Sequence, residues 1–287
     1  NSLRMSSVNP VGRFAPTPSG GLHLGSICTA LASYLNIKAQ GGRWILRIDD
    51  LDTTRSVAGA STMILKTLEA LGLEWSGKVV YQSANSVEYE EIINSLEISG
   101  ALYPCICSRK LIGNGLYQGT CRERQVDVRE PHSLRVRLDD RPIKFKDLIK
   151  GQMLGRADQL FGDFVVKRTD GHHAYHLATV VDDYNAGITE IVRGDDLLQS
   201  TFPQLWLYEK LGFRSPIYSH ITTIKDDNGI KLSKQTGAKV ITPDMASFAL
   251  STSLELLGLS TPKAMRGEKS DILLKWALSR WKIYQSR

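Results

Sequence analysis

Cysteine is scarce, with four among 287 residues. Four thiols, two of them in Cys105-x-Cys107, are too few for a disulfide framework and suit a metal site in a reducing compartment. Long apolar runs are missing too. None approaches the ~20 residues that cross a bilayer, so no membrane-spanning helix is expected. The first dozen residues are polar and lack the apolar core of a secretory leader, so the expected location is the cytoplasm. No internal repeat and no low-complexity tract is found, which excludes a repeat architecture.

What is present is a chain with 42% hydrophobic and 23% charged residues. That supports one large or two modest domains around a sizeable core. Net charge is +6 and unevenly placed: Tyr103 to Lys150 hold 11 Lys/Arg against 6 Asp/Glu. Such a segment is either a solvated face or a contact for a phosphate backbone.

The chain is organised around Arg13 to Ser26. Pro16 and Pro18 favour extended backbone, and Gly20-Gly21 permit a tight turn close to a ligand. From Leu24 the text is that of a buried helix ending before Gly41-Gly42. A strand turning into a helix N-terminus offers unpaired N–H groups and a favourable dipole to phosphate, with His23 at the turn. The same text also fits an ordinary strand-turn-helix entry with a surface histidine.

Strands at Val11–Ala15, Trp44–Ile48, Val79–Tyr81 and Gly187–Gly194 alternate with helices at Val57–Leu71, Val87–Ile98, Ala174–Val181 and Ser200–Leu211. This alternation predicts an α/β fold with a Rossmann-like parallel sheet, whose ligands lie beyond the carboxyl ends of the strands. The pattern breaks at Tyr103, and Leu134–Leu138 reads as a half-exposed strand. The expected organisation is a first catalytic half (1–102), an insertion (103–168), a second half with a lysine-bearing loop (169–240) and a helical C-terminal region (241–287).

Three constellations carry chemistry. Arg13 and Arg193, each near a strand end, match carboxylates through their forked donors, and Asp49 supplies an anion for an ammonium group. Tyr175 is a possible hydroxyl partner. Cys105, Cys107 and Cys121 with one further donor, Tyr117 or His132, satisfy a tetrahedral zinc site, or form a trio of partly buried thiols. Cys28 reads as core packing. Lys231 and Lys234 occupy a polar, glycine-flanked loop able to close on a triphosphate, or simply solvated.

His23-Leu24-Gly25-Ser26 and Lys231-Leu232-Ser233-Lys234-Gln235, about 200 residues apart, resemble the two ATP motifs of class I aminoacyl-tRNA synthetases. The resemblance runs from about Val11 to Gln235 and is to the glutamyl branch. It is carried also by Gly12-Arg13-Phe14-Ala15-Pro16-Thr17-Pro18-Ser19-Gly20, Leu46-Arg47-Ile48-Asp49-Asp50-Leu51-Asp52 and Glu190-Ile191-Val192-Arg193-Gly194-Asp195-Asp196-Leu197. It implies glutamate contacts at Arg13, Phe14, Ala15, Pro16, Thr17, Asp49, Tyr175 and Arg193. It implies ATP, with Mg²⁺, at His23, Gly25, Ser26, Lys231 and Lys234, with His23 and Lys234 catalytic, and one structural zinc on Cys105, Cys107, Tyr117 and Cys121. The family usually has Glu at position 49, so the resemblance implies a longer or water-mediated ammonium contact here. Ser26 replaces the motif's second histidine and offers a shorter, weaker donor.

About 50 residues follow Gln235, where full-length glutamyl synthetases carry an anticodon-binding region. The expected subgroup is therefore the short paralogue that attaches glutamate to the queuosine base in the anticodon of tRNA(Asp). The expected partners are L-glutamate, ATP and queuosine-bearing tRNA(Asp), with no membrane and a monomeric chain. No nucleophilic residue stands out, so no acyl-enzyme is expected. Three rivals stay open: charging the 3′ end of tRNA(Glu), another adenylate-forming ligase of the superfamily, and a zinc-bearing RNA-binding module without catalysis.

Overall fold

A computed structural model describes residues 9–113, 115–224, 239–265 and 267–284. In chain order the elements are β1 (Val11–Phe14), α1 (Leu24–Lys38), β2 (Arg43–Ile48), α2 (Ala60–Ala70), β3 (Val80–Tyr81), α3 (Ser86–Ile98), β4 (Leu102–Cys105), α4 (Arg109–Ile112), β5 (Ser133–Val136), β6 (Ile143–Asp147), β7 (Gly151–Gly155) and α5 (Ala157–Phe161). There follow β8 (Val165–Lys167), α6 (Tyr175–Asn185), β9 (Glu190–Gly194), α7 (Thr201–Lys210), β10 (Ile217–Ile221), α8 (Ala246–Leu256) and α9 (Ser270–Tyr284).

Two compact units result. The first comprises Asn1–Tyr81, Ile188–Asp196 and Tyr218–Arg287. Its strands β1, β2 and β3 are parallel neighbours, with Arg13 opposite Ile45 and Ile48 opposite Tyr81. On the other side of β1, Val11 exchanges hydrogen bonds with Thr189, and Gly12 lies against the carbonyl of Glu190. The two segments lie side by side. Helix α1 is apolar nearly all round and, Thr29 apart, buried from Ile27 to Ile37, as expected of a helix at the centre of a core. Trp44 anchors that core: its Nε1 donates to Ser33 Oγ at 2.9 Å, and its ring lies against Phe14 and Tyr34.

Helix α2 starts at Ala60 rather than Val57, because Gly59 stands just before it at φ 77°, outside the right-handed helical region. The strand expected at Leu134–Leu138 is present as β5, but it is not half-exposed: Ser133 to Val136 are all buried.

The second unit comprises Gln82–Gly187 and Leu197–Ile217. It is broader than the 103–168 segment, since α3, α6 and α7 fold with it. β4, β5 and β8 form an antiparallel sheet, and β6 and β7 a hairpin. The buried Asp182 of α6 accepts from Gln82 Nε2, Asn85 Nδ2 and Tyr89 Oη at 2.7–2.8 Å, which ties α6 to α3.

Candidate functional site

In the first unit the expected acid-binding groups sit on β1, on β9 and just past the end of β2. Arg13 lies on β1 and Arg193 on β9, and both are buried. Asp49 follows the end of β2. Its backbone N–H donates to the Pro16 carbonyl at 3.0 Å, so the acid is tied to the segment Arg13, Phe14, Ala15, Pro16, Thr17. Arg47 Nε grips Asp49 Oδ1 at 2.7 Å with both side chains largely buried. The Asp49 carboxylate therefore shares its charge with a fixed guanidinium.

Arg193 is held as well. Its Nε donates to His220 Nε2 at 3.0 Å, and its Cζ lies 5.1 Å from the centre of the Tyr218 ring. Both partners come from β10. Neither Arg47 nor His220 was singled out from the sequence. The only sequence signal for each is a polar residue at a core position of an apolar strand.

The turn into α1 behaves differently from a bare phosphate cradle. His23 is the N-cap of the helix, and its Nδ1 accepts from the Ser26 N–H at 3.3 Å. Ser26 Oγ accepts the His23 N–H at 2.9 Å and donates to the His23 carbonyl at 2.8 Å. This reciprocal capping box satisfies orphan donors at the helix start. The Ser26 hydroxyl is thus engaged within the cap, and the Nδ1 edge of the His23 ring is held by the Ser26 N–H. Gly20 has φ 131°, a region that glycine enters freely.

Lys231 and Lys234 lie outside the described residues. The chain that flanks them is informative. Thr223 donates its N–H to Asp195 Oδ1 at 3.0 Å, two residues past Arg193. On the far side Val240 bridges to His23, and the Ile241 N–H donates to the Leu22 carbonyl at 2.8 Å. The described chain thus reaches Thr223 beside Asp195 and resumes with Val240 and Ile241 beside the helix cap.

Tyr175 belongs to the second unit, where it opens α6 and is part-exposed. That unit also holds the cysteine cluster. The sulfurs of Cys105, Cys107 and Cys121 lie within 4.8 Å of one another, with Cys107 and Cys121 3.6 Å apart. A tetrahedral zinc with Zn–S near 2.3 Å separates its sulfurs by about 3.8 Å. Tyr117 Oη lies 3.3 Å from Cys105 Sγ and 3.9 Å from Cys107 Sγ, and accepts the Cys121 N–H at 2.8 Å. Four donors thus converge on one point, and the set fits a metal ion. His132 stands apart: it is half-buried on the loop before β5, with Nδ1 2.8 Å from the Glu130 carbonyl. Burial and the hydrogen bond with Cys105 push the Tyr117 phenol up. Burial would also raise Cys121, but hydrogen bonds from Tyr117 and the Ile106 backbone hold it below the usual thiol range.

Gly162 and Asp163 support this cluster and were not picked out from the sequence. Gly162 has φ 60° and bridges to Tyr117, and a Cβ there would stand 2.5 Å from the Tyr117 carbonyl oxygen. The buried Asp163 carboxylate accepts from Tyr103 Oη and from both sides of the Arg122 fork.

The family model for tRNA synthetases class I (E and Q), catalytic domain, matches residues 11–268. The chain belongs to this family, and is by that membership a ligase of the class I aminoacyl-tRNA synthetase type. Its curated relatives include the "Glutamyl-Q tRNA(Asp) synthetase" of Pseudomonas fluorescens, 42% identical over 96% of this chain and 93% of that one. The protein of the same name from Aromatoleum aromaticum is 43% identical over 95% of this chain and 89% of the other. Among solved structures, a glutamate tRNA ligase from Elizabethkingia meningosepticum in complex with its amino acid matches with a TM-score of 0.72 at 29% identity. It is covered over 52% of its length, by 80% of this chain. The glutamate-tRNA synthetase of Elizabethkingia anophelis matches with a TM-score of 0.77 at 26% identity, over 93% of this chain and 65% of its own. The chain therefore spans less than two thirds of either solved protein. Among the described residues no helix is long and apolar enough to cross a membrane.

Proposed function

We propose that the chain activates L-glutamate with ATP and transfers it to the queuosine base in the anticodon of tRNA(Asp). The observation that carries this reading is the agreement, at 42% identity over 93% of its length, with a relative of that name. The chemistry of the first unit supports it. Arg13 and Arg193 match the two carboxylates of glutamate, and Asp49 matches its ammonium. Phe14, Ala15, Pro16, Thr17 and Tyr175 are proposed as further glutamate contacts. His23, Gly25, Ser26, Lys231 and Lys234 are proposed to receive ATP, which enters as its Mg²⁺ complex.

In the first step the α-carboxylate of glutamate attacks the α-phosphorus of ATP. The bond to pyrophosphate breaks and glutamyl-adenylate forms. The protein's task is to position the reactants and offset developing charge, with His23 and Lys234 as the catalytic groups. In the second step a hydroxyl of the queuosine cyclopentenediol attacks the activated carbonyl, loses its proton, and AMP departs. Cys105, Cys107, Tyr117 and Cys121 are proposed to hold a structural zinc, which supplies a cross-link and no reactive group. It would stabilise the 103–168 segment, whose Lys/Arg excess suits an RNA backbone. The proposed setting is the cytoplasm and the proposed state a monomer.

Glutamate-dependent exchange of pyrophosphate into ATP tests the first step. Exchange with glutamate, and little with aspartate or glutamine, is expected. A Lys234→Ala chain should lose orders of magnitude in exchange and still bind glutamate. The likeness to glutamate tRNA ligases favours a second reading, in which the 3′ end of tRNA(Glu) is charged. Which nucleotide carries labelled glutamate separates the two.

A further inference from the structure

The cysteine cluster has a charged neighbour that the metal reading alone does not use. Arg135 sits in the middle of β5 and is 9% exposed. Its Nε donates to Cys105 Sγ at 3.3 Å, its Nη1 donates to the Asp163 carbonyl at 2.6 Å, and its Cζ lies 4.1 Å from the centre of the Tyr117 ring. Among the described residues it has no carboxylate partner. The nearby Asp163 carboxylate is occupied by Arg122 and Tyr103. A buried guanidinium without a counter-anion is costly, so such groups are kept where an anion faces them. Here the groups that face it are a thiol sulfur and the π-face of a phenol ring, and both belong to the metal-binding set.

The charge balance explains the pairing. Metal-bound cysteines are thiolates. A divalent ion with three thiolates and a neutral phenol carries one excess negative charge, and with a phenolate it carries two. In a buried pocket that excess must be compensated. One guanidinium neutralises the first case and halves the second. The contact with Cys105 also aims that sulfur, and the stack on Tyr117 fixes the plane of the ring that carries the fourth donor. Outer-shell groups of this kind orient ligands and set affinity.

We propose that Arg135 is the resident counter-cation of the metal centre, a positioning residue that sets how tightly Cys105, Cys107, Tyr117 and Cys121 hold a divalent ion. The proposal rests on the metal reading of that cluster, and its test separates the two. The full chain is stripped with chelator and its affinity for Zn²⁺ is measured by competition with a chromophoric chelator. Binding of Co²⁺ is followed through its thiolate-to-metal absorption. The unaltered chain should bind one ion. Arg135→Gln should weaken Zn²⁺ binding about 10- to 100-fold and alter the cobalt spectrum. Arg135→Lys, which keeps the charge but not the fork or the plane, should show a smaller loss.

An unaltered chain that takes up neither metal overturns the metal reading itself. An Arg135→Gln chain that binds as tightly as the parent, with the same cobalt spectrum, overturns the counter-cation. If circular dichroism shows that Arg135→Gln does not fold, Arg135→Lys decides: parental affinity with an unchanged spectrum overturns the proposal, and several-fold weaker binding upholds it. Arg137→Gln, two residues along, with its guanidinium over the Tyr103 ring, should leave the affinity within about twofold. A loss equal to that of Arg135→Gln would show a general effect of removing charge and overturn the assignment.

Discussion

Arg193 donates from Nε to His220 Nε2 across 3.0 Å. A guanidinium has donors only, so that ring nitrogen carries a lone pair and His220 is neutral with its proton on Nδ1. The bond takes one corner of the fork and orients the rest. His220→Ala should therefore weaken glutamate binding more than it slows chemistry. A hydrogen bond to a charged group is worth about 1.5–3 kcal/mol, or roughly a 10- to 100-fold rise in KM. His220→Gln, which keeps an acceptor, should recover much of it. Pyrophosphate exchange at varied glutamate concentration measures this, and an unchanged KM in His220→Ala would remove His220 from the binding apparatus.

Gly162 lets the backbone of Tyr117 approach closely, at a positive φ that L side chains avoid. Gly162→Ala should cost about 1–3 kcal/mol and displace Tyr117 from the cysteines. The expected signs are a lower melting temperature and reduced metal content after dialysis. A variant with parental melting and full metal content would contradict the close packing.

The four cysteines should differ in reactivity. Cys28 is 1% exposed and burial pushes its thiol up to about 11, which leaves little thiolate at neutral pH. The other three are proposed metal ligands. Mass spectrometry after alkylation of the native chain should show almost no adducts with metal bound and three after chelation. Four adducts at equal rates would place Cys28 outside the core.

Glu90 predicts a pH dependence. Burial raises its carboxyl, but hydrogen bonds and charge from Lys167 and His173 outweigh that and hold it below the usual value of 4.5. A carboxylate held low stabilises the fold above its unfolded value, and the contribution disappears as pH falls through the folded value. The stability gap between the parent and Glu90→Gln should therefore be present above pH 4.5 and narrow as the pH falls below it. Urea unfolding at several pH values checks it, and a gap that stays constant to pH 3 would refute the pairing.

Local periodicity makes the parallel strands, the helix after the glycine turn and the helical character of the C-terminal region readable. What it could not show were charges whose partners lie far along the chain. Arg135 alternates with Leu134 and Val136 as an exposed residue would, yet it is buried because Cys105, Tyr117 and Asp163 receive it. β10 is not legible as a strand because Ser219 and His220 interrupt its apolar text, and His220 meets Arg193. The β6–β7 hairpin is hidden by Lys144 and Lys146, which weight its segment toward charge. The arginines and the acid are readable as candidates because each residue type has one chemistry. The groups that hold them, Arg47 and His220, are not, since only the fold reveals the contact.

The most direct test of the central claim is transfer of labelled glutamate. The chain is incubated with ATP, Mg²⁺ and labelled glutamate, together with tRNA(Asp) carrying queuosine, the same tRNA with guanine in its place, or tRNA(Glu). Label that appears only on the queuosine-bearing tRNA, and maps by nuclease digestion to the modified anticodon nucleotide, is the predicted result. Label on the 3′ end of tRNA(Glu), or on no RNA despite glutamyl-adenylate formation, would contradict it.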